Sequence, residues 1–139
     1  MYCRHINPHL FQFKFKYEDG STARKIFKKG DDIFSFDLKS AYHHISIYKS
    51  HRTYFGFHWG SKYYVFNVLA FGLSTAGFIF SILVREIIKF WRSKHLRVVA
   101  YLNDGIGGAE TFENAFKDSK SIKADLSKFG FISAEEKFQ

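Results

Sequence analysis

The chain contains few of the residues that constrain a protein covalently or divert it to a membrane. Its 139 residues include one cysteine and one proline. A single cysteine excludes an internal disulfide and is typical of a reducing compartment. No apolar run reaches the length of a membrane span, because Arg85, Glu86 and Lys89 interrupt the longest candidate. The N-terminus also lacks the apolar core of a signal peptide. We therefore expect an intracellular protein, cytoplasmic or nuclear, that is not secreted and has no membrane partner.

Acidic residues are also scarce relative to basic ones. The chain has 21 Lys and Arg against 13 Asp and Glu, which leaves a formal charge of +8. It also has 18 Phe and 8 Tyr, which exclude a disordered polypeptide. Basic charge interleaved with aromatic residues favours a nucleic-acid partner over a surface that is charged for solubility alone. The length, without repeat, linker or low-complexity tract, indicates one domain.

Hydrophobic periodicity predicts an α+β fold in which helices pack on one face of an antiparallel sheet. Helices are predicted where apolar residues recur at helical spacing or where capping residues occur, namely at 21–28, 75–94 and 111–128. Strands are predicted in apolar or aromatic runs bounded by turn residues, namely at 32–38, 52–59, 62–68, 96–102 and 106–109. In the last helix, the main apolar positions are expected to be Phe112, Ala115, Phe116, Ile122 and Leu126.

Two of these strands lead to carboxylates. The run 32–38 carries Asp37 near its end, and the run that ends at Leu102 leads into a predicted hairpin tip, Asn103-Asp104-Gly105. Strand-borne carboxylates are the oxygen ligands that Mg²⁺ prefers. The tip has an amide at Asn103, where a second carboxylate would serve a metal site better.

Four segments in this order resemble the motifs of reverse transcriptases from retroelements. Motif A resembles Phe34-Ser-Phe-Asp-Leu-Lys-Ser-Ala-Tyr-His-His-Ile45, and motif B resembles Phe71-Gly-Leu-Ser-Thr-Ala76. Motif C resembles Tyr101-Leu-Asn-Asp104, and motif D is similar to the segment 130–137. Taken beyond the four motifs, the sequence is most similar to DIRS-like and gypsy-like retrotransposon enzymes. The resemblance covers nearly the whole chain.

The resemblance implies an RNA-directed DNA polymerase that works by two-metal nucleotidyl transfer. Its cofactors would be two Mg²⁺ ions, with Mn²⁺ as a substitute, and its partners an RNA or DNA template-primer and deoxynucleotide triphosphates. The implied fold is the polymerase palm with the end of the fingers. We expect a single partial domain over 1–139, with fingers at 1–30 and palm at 31–139. Thumb, RNase H and the remaining polyprotein subdomains are expected to be missing.

The resemblance also assigns roles at the metal site. Asp37 and Asp104 match metal-binding carboxylates, Asn103 matches a third carboxylate that this chain has lost, and the backbone carbonyl of Leu38 matches a further ligand. With one negative charge fewer, the site should bind metal more weakly and polymerise more slowly. Asp37 would otherwise be a solvated residue at a strand end.

Four more residues match nucleotide-binding positions. Tyr42 matches the aromatic residue under the incoming sugar, Phe71 and Gly72 match the loop against the nascent base pair, and Lys137 matches a proton donor to pyrophosphate. The corresponding structural interpretations are a core tyrosine, a simple loop before a helix and a solvated lysine. The family's prolines are absent at Ala70 and Gly77, which leaves the rigidity of the loop open.

Two other interpretations remain open at this point. One is a non-catalytic remnant that still binds nucleic acid. Its candidate phosphate contacts are Lys14, Lys16, Lys28 and Lys29, which otherwise form a solvated face. The other is an inert relic that does not fold alone.

Overall fold

A computed structural model describes residues 3–132 and, for the backbone only, 137–138. Two compact units are present. The first unit comprises Met1–Phe15 with Ser40–Phe80, and the second comprises Lys16–Lys39 with Ser81–Gln139. In the part of the chain that is described, no helix combines the length and apolar character needed to cross a bilayer.

Three α-helices and six strands are interspersed along the described part of the chain. In order they are α1 (Gly20–Ile26), β1 (Asp32–Asp37), β2 (Gly56–Trp59), β3 (Lys62–Val65), α2 (Ala76–Ser93), β4 (Arg97–Tyr101), β5 (Asp104–Ala109), α3 (Phe112–Lys128) and β6 (Lys137–Phe138). The second unit contains an antiparallel sheet with strand order β4-β5-β1-β6. The predicted α+β class with an antiparallel sheet is confirmed.

Glycines in β5 allow the sheet to pack closely around two aromatic rings of β1. Gly105 pairs with Phe36 and Gly107 with Phe34, and a Cβ atom on either glycine would collide with the ring of its partner. Phe34 and Phe36 are buried, and the Phe36 ring lies 5.5 Å from that of Trp91 on α2. The apolar face of β1 is therefore covered from the side of α2.

Helices α2 and α3 are joined at a buried polar contact. The indole Nε1 of Trp91 donates to Oδ2 of Asp125 at 3.2 Å, and Lys94 reaches the same carboxylate oxygen at 3.1 Å. Trp91 is only 1% exposed, and α3 packs against β5 and β1. Three of the predicted apolar positions of α3 are confirmed as buried, namely Ala115, Ile122 and Leu126. The prediction is wrong for Phe112 and Phe116, whose rings are exposed.

Helix α1 begins at Gly20, one residue before the predicted start at 21. Its N-cap is Asp19, whose carboxylate accepts hydrogen bonds from the backbone N–H groups of Ser21 and Thr22. The prediction that Ser21 and Thr22 cap this helix is therefore wrong. An extended backbone at Asp19 aims its short acidic side chain at the first free N–H groups, as N-capping requires.

The first unit contains the β2–β3 hairpin and several short 3₁₀ turns. The hairpin pairs Gly56 with Val65 and Trp59 with Lys62 around the turn at Gly60-Ser61. The predicted strand at 52–59 is wrong in its first half, because Lys49–Phe55 is a 3₁₀ segment. A small buried cluster supports this unit, formed by Cys3, Leu69, Ala70, Leu73 and Ala76.

Candidate active site

The hairpin between β4 and β5 places Asp104 inside a strand. The last β4–β5 pair is Tyr101 with Asp104, so Leu102 and Asn103 form a two-residue turn. Leu102 has a left-handed backbone with φ of 53°, which tight hairpin turns require. The predicted tip Asn103-Asp104-Gly105 is therefore wrong by one residue, because Asp104 and Gly105 pair with both neighbouring strands.

Register alone brings the two predicted metal ligands together. Asp37 and Asp104 are direct cross-strand partners in the β1–β5 pair. Side chains of directly opposed residues lie on the same face with Cβ atoms about 4.5–5.5 Å apart. Two like charges at this distance repel each other, so the pair is most stable when a cation or a hydrogen-bond donor lies between or beside the carboxylates.

Asn103 provides such a donor. Its side-chain Nδ2 donates to Oδ1 of Asp37 at 2.8 Å, and its backbone carbonyl accepts from the N–H of Leu38 at 2.9 Å. A carboxylate at position 103 could accept but could not donate, so it would add a third repelling charge. The amide therefore stabilises one oxygen of the Asp37 carboxylate by a hydrogen bond, whereas a metal ion would also neutralise its charge.

A cleft of about 1110 Å³ opens over this face of the sheet. The alternating residues Ser35 and Asp37 on β1, Asp104 and Ile106 on β5, and Val99 and Tyr101 on β4 line it, together with the start of α1. Alternation along three paired strands places these six side chains on one face. The acidic pair therefore lies in an open cleft that is large enough for a nucleotide-sized ligand.

Two further acids in the cleft were not identified as site residues from the sequence. Both oxygens of Glu18 are bound by Arg92, at 2.8 and 2.9 Å, and one also accepts from the N–H of Ala100. The hydrogen bond from Ser21, with others at the start of α1, lowers the pKa of Asp19. The cap signal of an acid followed by Gly20 and Ser21 could have identified Asp19, but no local signal identifies Glu18. Glu18 and Asp19 already bind groups of the protein itself, so Asp37 and Asp104 are the candidate pair for binding a cation.

The residues present fit a divalent cation as an incomplete ligand set. Two carboxylates on one sheet face offer the hard oxygen donors that Mg²⁺ accepts, with water completing its shell. The amide of Asn103 directs its N–H₂ group at Asp37 and would have to turn before its oxygen could contribute. Accordingly, residues 3–132 contain no cluster of three or more His, Cys, Asp or Glu side chains suited to a metal.

The predicted nucleotide-loop residues lie in the first unit and contact one another. The ring centroids of Tyr42 and Phe71 are 5.0 Å apart, and Phe80 lies 5.5 Å from Tyr42. Phe71 is 57% exposed, so its ring is available to a ligand. Gly72 has φ of 85°, a left-handed conformation that favours glycine.

Asn7 holds this loop in place, and no role for this residue was predicted from the sequence. Its Nδ2 donates to the carbonyl of Gly72, and its Oδ1 accepts from the N–H of Ser74, both at 2.9 Å. Gln12 donates to the hydroxyl of Ser74 at 3.1 Å. These side chains restrain the loop, because Asn7 binds a backbone group of Gly72 and another of Ser74.

Lys137 lies in β6, where its backbone pairs with Ser35 of β1. Ser35 is two residues from Asp37 on the same strand, so β6 flanks the strand that carries the acid. The side chain of Lys137 and residues 133–136 lie outside the described part of the chain, and its assigned role remains a prediction.

The fold and the site define a class of protein. An antiparallel sheet backed by helices, with an acidic pair facing an open cleft beside a hairpin turn, is similar to the palm of a nucleic-acid polymerase. The family model described as Reverse transcriptase (RNA-dependent DNA polymerase) matches residues 3–139. The chain therefore belongs to the reverse transcriptase family.

Two viral proteins are similar to the chain. The genome polyproteins of Petunia vein clearing virus, isolates Shepherd and Hohn, are each 26% identical to it over 132 residues. These matches cover 95% of the chain and only 6% of each polyprotein. The chain thus spans a small part of the length of these relatives.

Proposed function

We propose that this chain is the palm part of an RNA-directed DNA polymerase that extends a primer on an RNA or DNA template. The observation that carries the proposal is the direct cross-strand pairing of Asp37 and Asp104 in an open cleft. Membership of the reverse transcriptase family supports the same activity. Two Mg²⁺ ions, when bound, would supply Lewis-acid activation of the primer hydroxyl and charge neutralisation on the phosphates.

The protein's own residues divide this work by location. Asp37 and Asp104 hold the cations, with the Leu38 carbonyl as a further oxygen donor. Tyr42 restricts the space beside the sugar and so favours deoxynucleotides, while Phe71 and Gly72 contact the nascent base pair. Lys137 donates a proton to the departing pyrophosphate. The resemblance supplies these roles, and the left-handed Gly72 with the exposed Phe71 ring supports the loop assignment.

We further propose that Asn103 impairs catalysis. Its amide occupies one oxygen of Asp37 and supplies no negative charge. Preorganised charge at the reacting phosphate is the main source of rate enhancement in this chemistry. The loss of one ligand charge therefore weakens cation binding and transition-state stabilisation together.

A second candidate function is a non-catalytic nucleic-acid-binding remnant of a retroelement polyprotein. The observation that favours it is the Asn103–Asp37 hydrogen bond, which satisfies the site without any cation. The net charge of +8 would retain affinity for nucleic acid after turnover is lost. We propose that the polyprotein belongs to a DIRS-like or gypsy-like retrotransposon, because the residues of the motif segments resemble those enzymes.

The decisive experiment is primer extension on an RNA template with Mg²⁺, with the parent chain and Asn103→Asp side by side. We expect the variant to extend the primer about 10²- to 10³-fold faster, the usual effect of one group that stabilises transition-state charge. Asp37→Asn in the Asn103→Asp background is the negative control. Extension by the parent at the rate of the variant would refute impairment by Asn103.

If no variant extends the primer while all of them still bind it, the binding remnant becomes the better function. Binding is measured on the same template-primer by fluorescence anisotropy, with EDTA in place of Mg²⁺. Loss of both binding and extension, with a non-cooperative thermal melt, would indicate a relic that does not fold alone.

A further inference from the structure

The β2–β3 hairpin exposes its aromatic side chains on both faces. Trp59 is 76% exposed, Tyr63 87%, and all eight residues of the two strands are classed as exposed. An isolated two-stranded hairpin is marginally stable in water, and large aromatic residues contribute to stability chiefly when they are covered. A ligand that covers these flat rings would therefore stabilise the hairpin.

One face of this hairpin presents a row of rings with a cation. Phe57 and Tyr64 are cross-strand partners, stacked with centroids 5.4 Å apart at an interplanar angle of 21°. Trp59 and Lys62 are the next pair on the same face, because side chains alternate along a strand. We call these four residues, Phe57, Trp59, Lys62 and Tyr64, the hairpin face. Along β2 the rings of Phe57 and Trp59 are spaced by about 6.7 Å, the rise of two residues in a strand.

The charged residues of the first unit, which contains the hairpin face, have one sign. No Asp or Glu occurs between Asp37 and Glu86, and all 13 acidic residues of the chain lie in the second unit. Within the first unit the charged side chains are Arg4, Lys14, Lys49, Arg52 and Lys62. A polyanion is therefore the complementary partner.

The chemistry of the face identifies which polyanion fits. Flat aromatic rings offer stacking surfaces to bases, but only unpaired bases can stack on them, so a duplex cannot use the rings. A second copy of the chain docked through the same patch would bring Lys62 against Lys62, with no acidic residue on either hairpin face. The combination of rings and cations without acids is the pattern of a single-strand binding platform.

We propose that the hairpin face binds single-stranded nucleic acid by stacking bases on Trp59 and its neighbouring rings, with Lys62 contacting phosphate. This site is distinct from the acidic pair and does not rest on polymerase activity. Binding at this site needs neither a divalent cation nor a nucleotide, so it can be tested independently of the proposed function.

Intrinsic fluorescence provides a direct test, because the two tryptophans differ in exposure. Trp59 is 76% exposed and Trp91 only 1%. Titration of the chain with an unlabelled dT₁₂ single strand in EDTA should quench the Trp59 emission, since a stacked base quenches an indole. Trp59→Phe, which retains a stacking ring, should lose the quenching but still bind a labelled dT₁₂ in anisotropy measurements.

Two further variants measure the contributions of stacking and charge. Trp59→Ala should weaken dT₁₂ binding by roughly 5- to 150-fold, the range expected for the loss of one stacked base. Lys62→Ala should reduce the slope of log K against log salt by about 0.7, the value for one phosphate contact with a single strand. Phe112→Ala and Lys123→Ala, at exposed sites on α3, are the matched controls and should leave binding unchanged.

Three outcomes would overturn the proposal. The first is equal loss of binding in Phe112→Ala and Trp59→Ala, which would show non-specific adsorption to aromatic surface. The second is tighter binding of blunt duplex than of dT₁₂ with the same variant pattern. The third is absence of dT₁₂ binding together with a sedimentation shift from dimer to monomer in Trp59→Ala, which would assign the face to self-association.

Discussion

At position 103, the difference between an amide and a carboxylate decides the electrostatics of the site. The amide donates to Oδ1 of Asp37 at 2.8 Å, and Asp104 lies opposite Asp37 on the neighbouring strand. With an aspartate at 103, three carboxylates would converge and one hydrogen bond would be lost. We therefore expect a cation to stabilise the variant site more than the parent site.

This difference predicts that Asn103→Asp makes folding stability dependent on Mg²⁺. In EDTA we expect the variant to melt below the parent, because the repulsion between carboxylates is uncompensated. At a Mg²⁺ concentration 100-fold above its Kd, binding should restore about 2.7 kcal/mol to the free energy of unfolding. Thermal melts with and without Mg²⁺ measure both effects. A parent chain that gains as much as the variant from Mg²⁺ would contradict the prediction.

Asp31 illustrates a second electrostatic effect at single-residue scale. The backbone N–H of Lys28 and the guanidinium of Arg97 both bind its carboxylate and lower its pKa. Arg97 makes a two-point contact, at 2.6 and 3.0 Å, and the Asp31 side chain is only 3% exposed. This contact ties the residue before β1 to the first residue of β4.

A lowered pKa in the folded state fixes the sign of the pH dependence. The stabilisation from Asp31 is fully present above the unfolded pKa of about 3.9 and disappears as the pH falls through the lower folded pKa. We expect Asp31→Asn to be less stable than the parent in urea at pH 7, with the gap closing towards pH 3.

Asp118 provides a control of opposite sign, because burial raises its pKa. The ionised form of this residue costs stability at neutral pH, so Asp118→Asn should raise the urea midpoint at pH 7. Equal pH profiles for the two variants would contradict the assignment of both shifts.

At the scale of elements, the contact between β1 and β5 positions the acidic pair. The β1 rings of Phe34 and Phe36 lie against glycines of β5, which lack the Cβ atoms that would collide with them. The same register that pairs Phe36 with Gly105 pairs Asp37 with Asp104. Close packing on one face of the sheet and the carboxylate pair on the other therefore depend on a single strand alignment.

Gly107→Ala tests this dependence. The added methyl group would overlap the Phe34 ring, and overpacking of this kind typically costs about 1–3 kcal/mol. We expect a lower urea midpoint with no change in net charge. Gly20→Ala is the matched control, since its Cβ would have no neighbour within 4 Å, and its midpoint should match or exceed that of the parent. Equal stability of the two variants would show that the sheet can separate at β5 without cost.

At the scale of the whole molecule, the acidic residues are confined to one of the two units. The first unit carries 5 of the 21 Lys and Arg residues and no acid, while the second carries the other 16 together with all 13 acids, including the pair in the cleft. Under the proposed function, affinity for nucleic acid depends on the basic side chains and turnover depends on the acidic pair. We therefore expect binding and catalysis to be separable by mutation.

This separation predicts that template-primer binding survives both EDTA and Asp37→Asn. The slope of log K against log salt should be about −0.9 for each phosphate contact with duplex. It should agree between the parent and Asp37→Asn to within one contact, because Asp37 contacts no phosphate without a cation. Anisotropy titrations at several salt concentrations give the slopes. A weaker slope in the variant would show that the acidic site contributes to binding without metal.

Sequence patterns determined the α+β class, the 18-residue helix α2, the strands that carry Asp37 and Asp104, and the basic, aromatic character of the chain. These features are local, since periodicity, capping and charge act within a few residues. Motif order also led to the reverse transcriptase family, which the family comparison confirms.

Tertiary structure decided what depends on neighbours distant in the chain. In the structure, Asp104 lies in a strand and not at the predicted hairpin tip. The amide of Asn103 donates to Asp37, and Asn7 binds the loop around Gly72. Glu18 also binds Arg92, 74 residues away. Strand register and side-chain orientation depend on packing and hydrogen bonds between remote segments, so no local pattern encodes them.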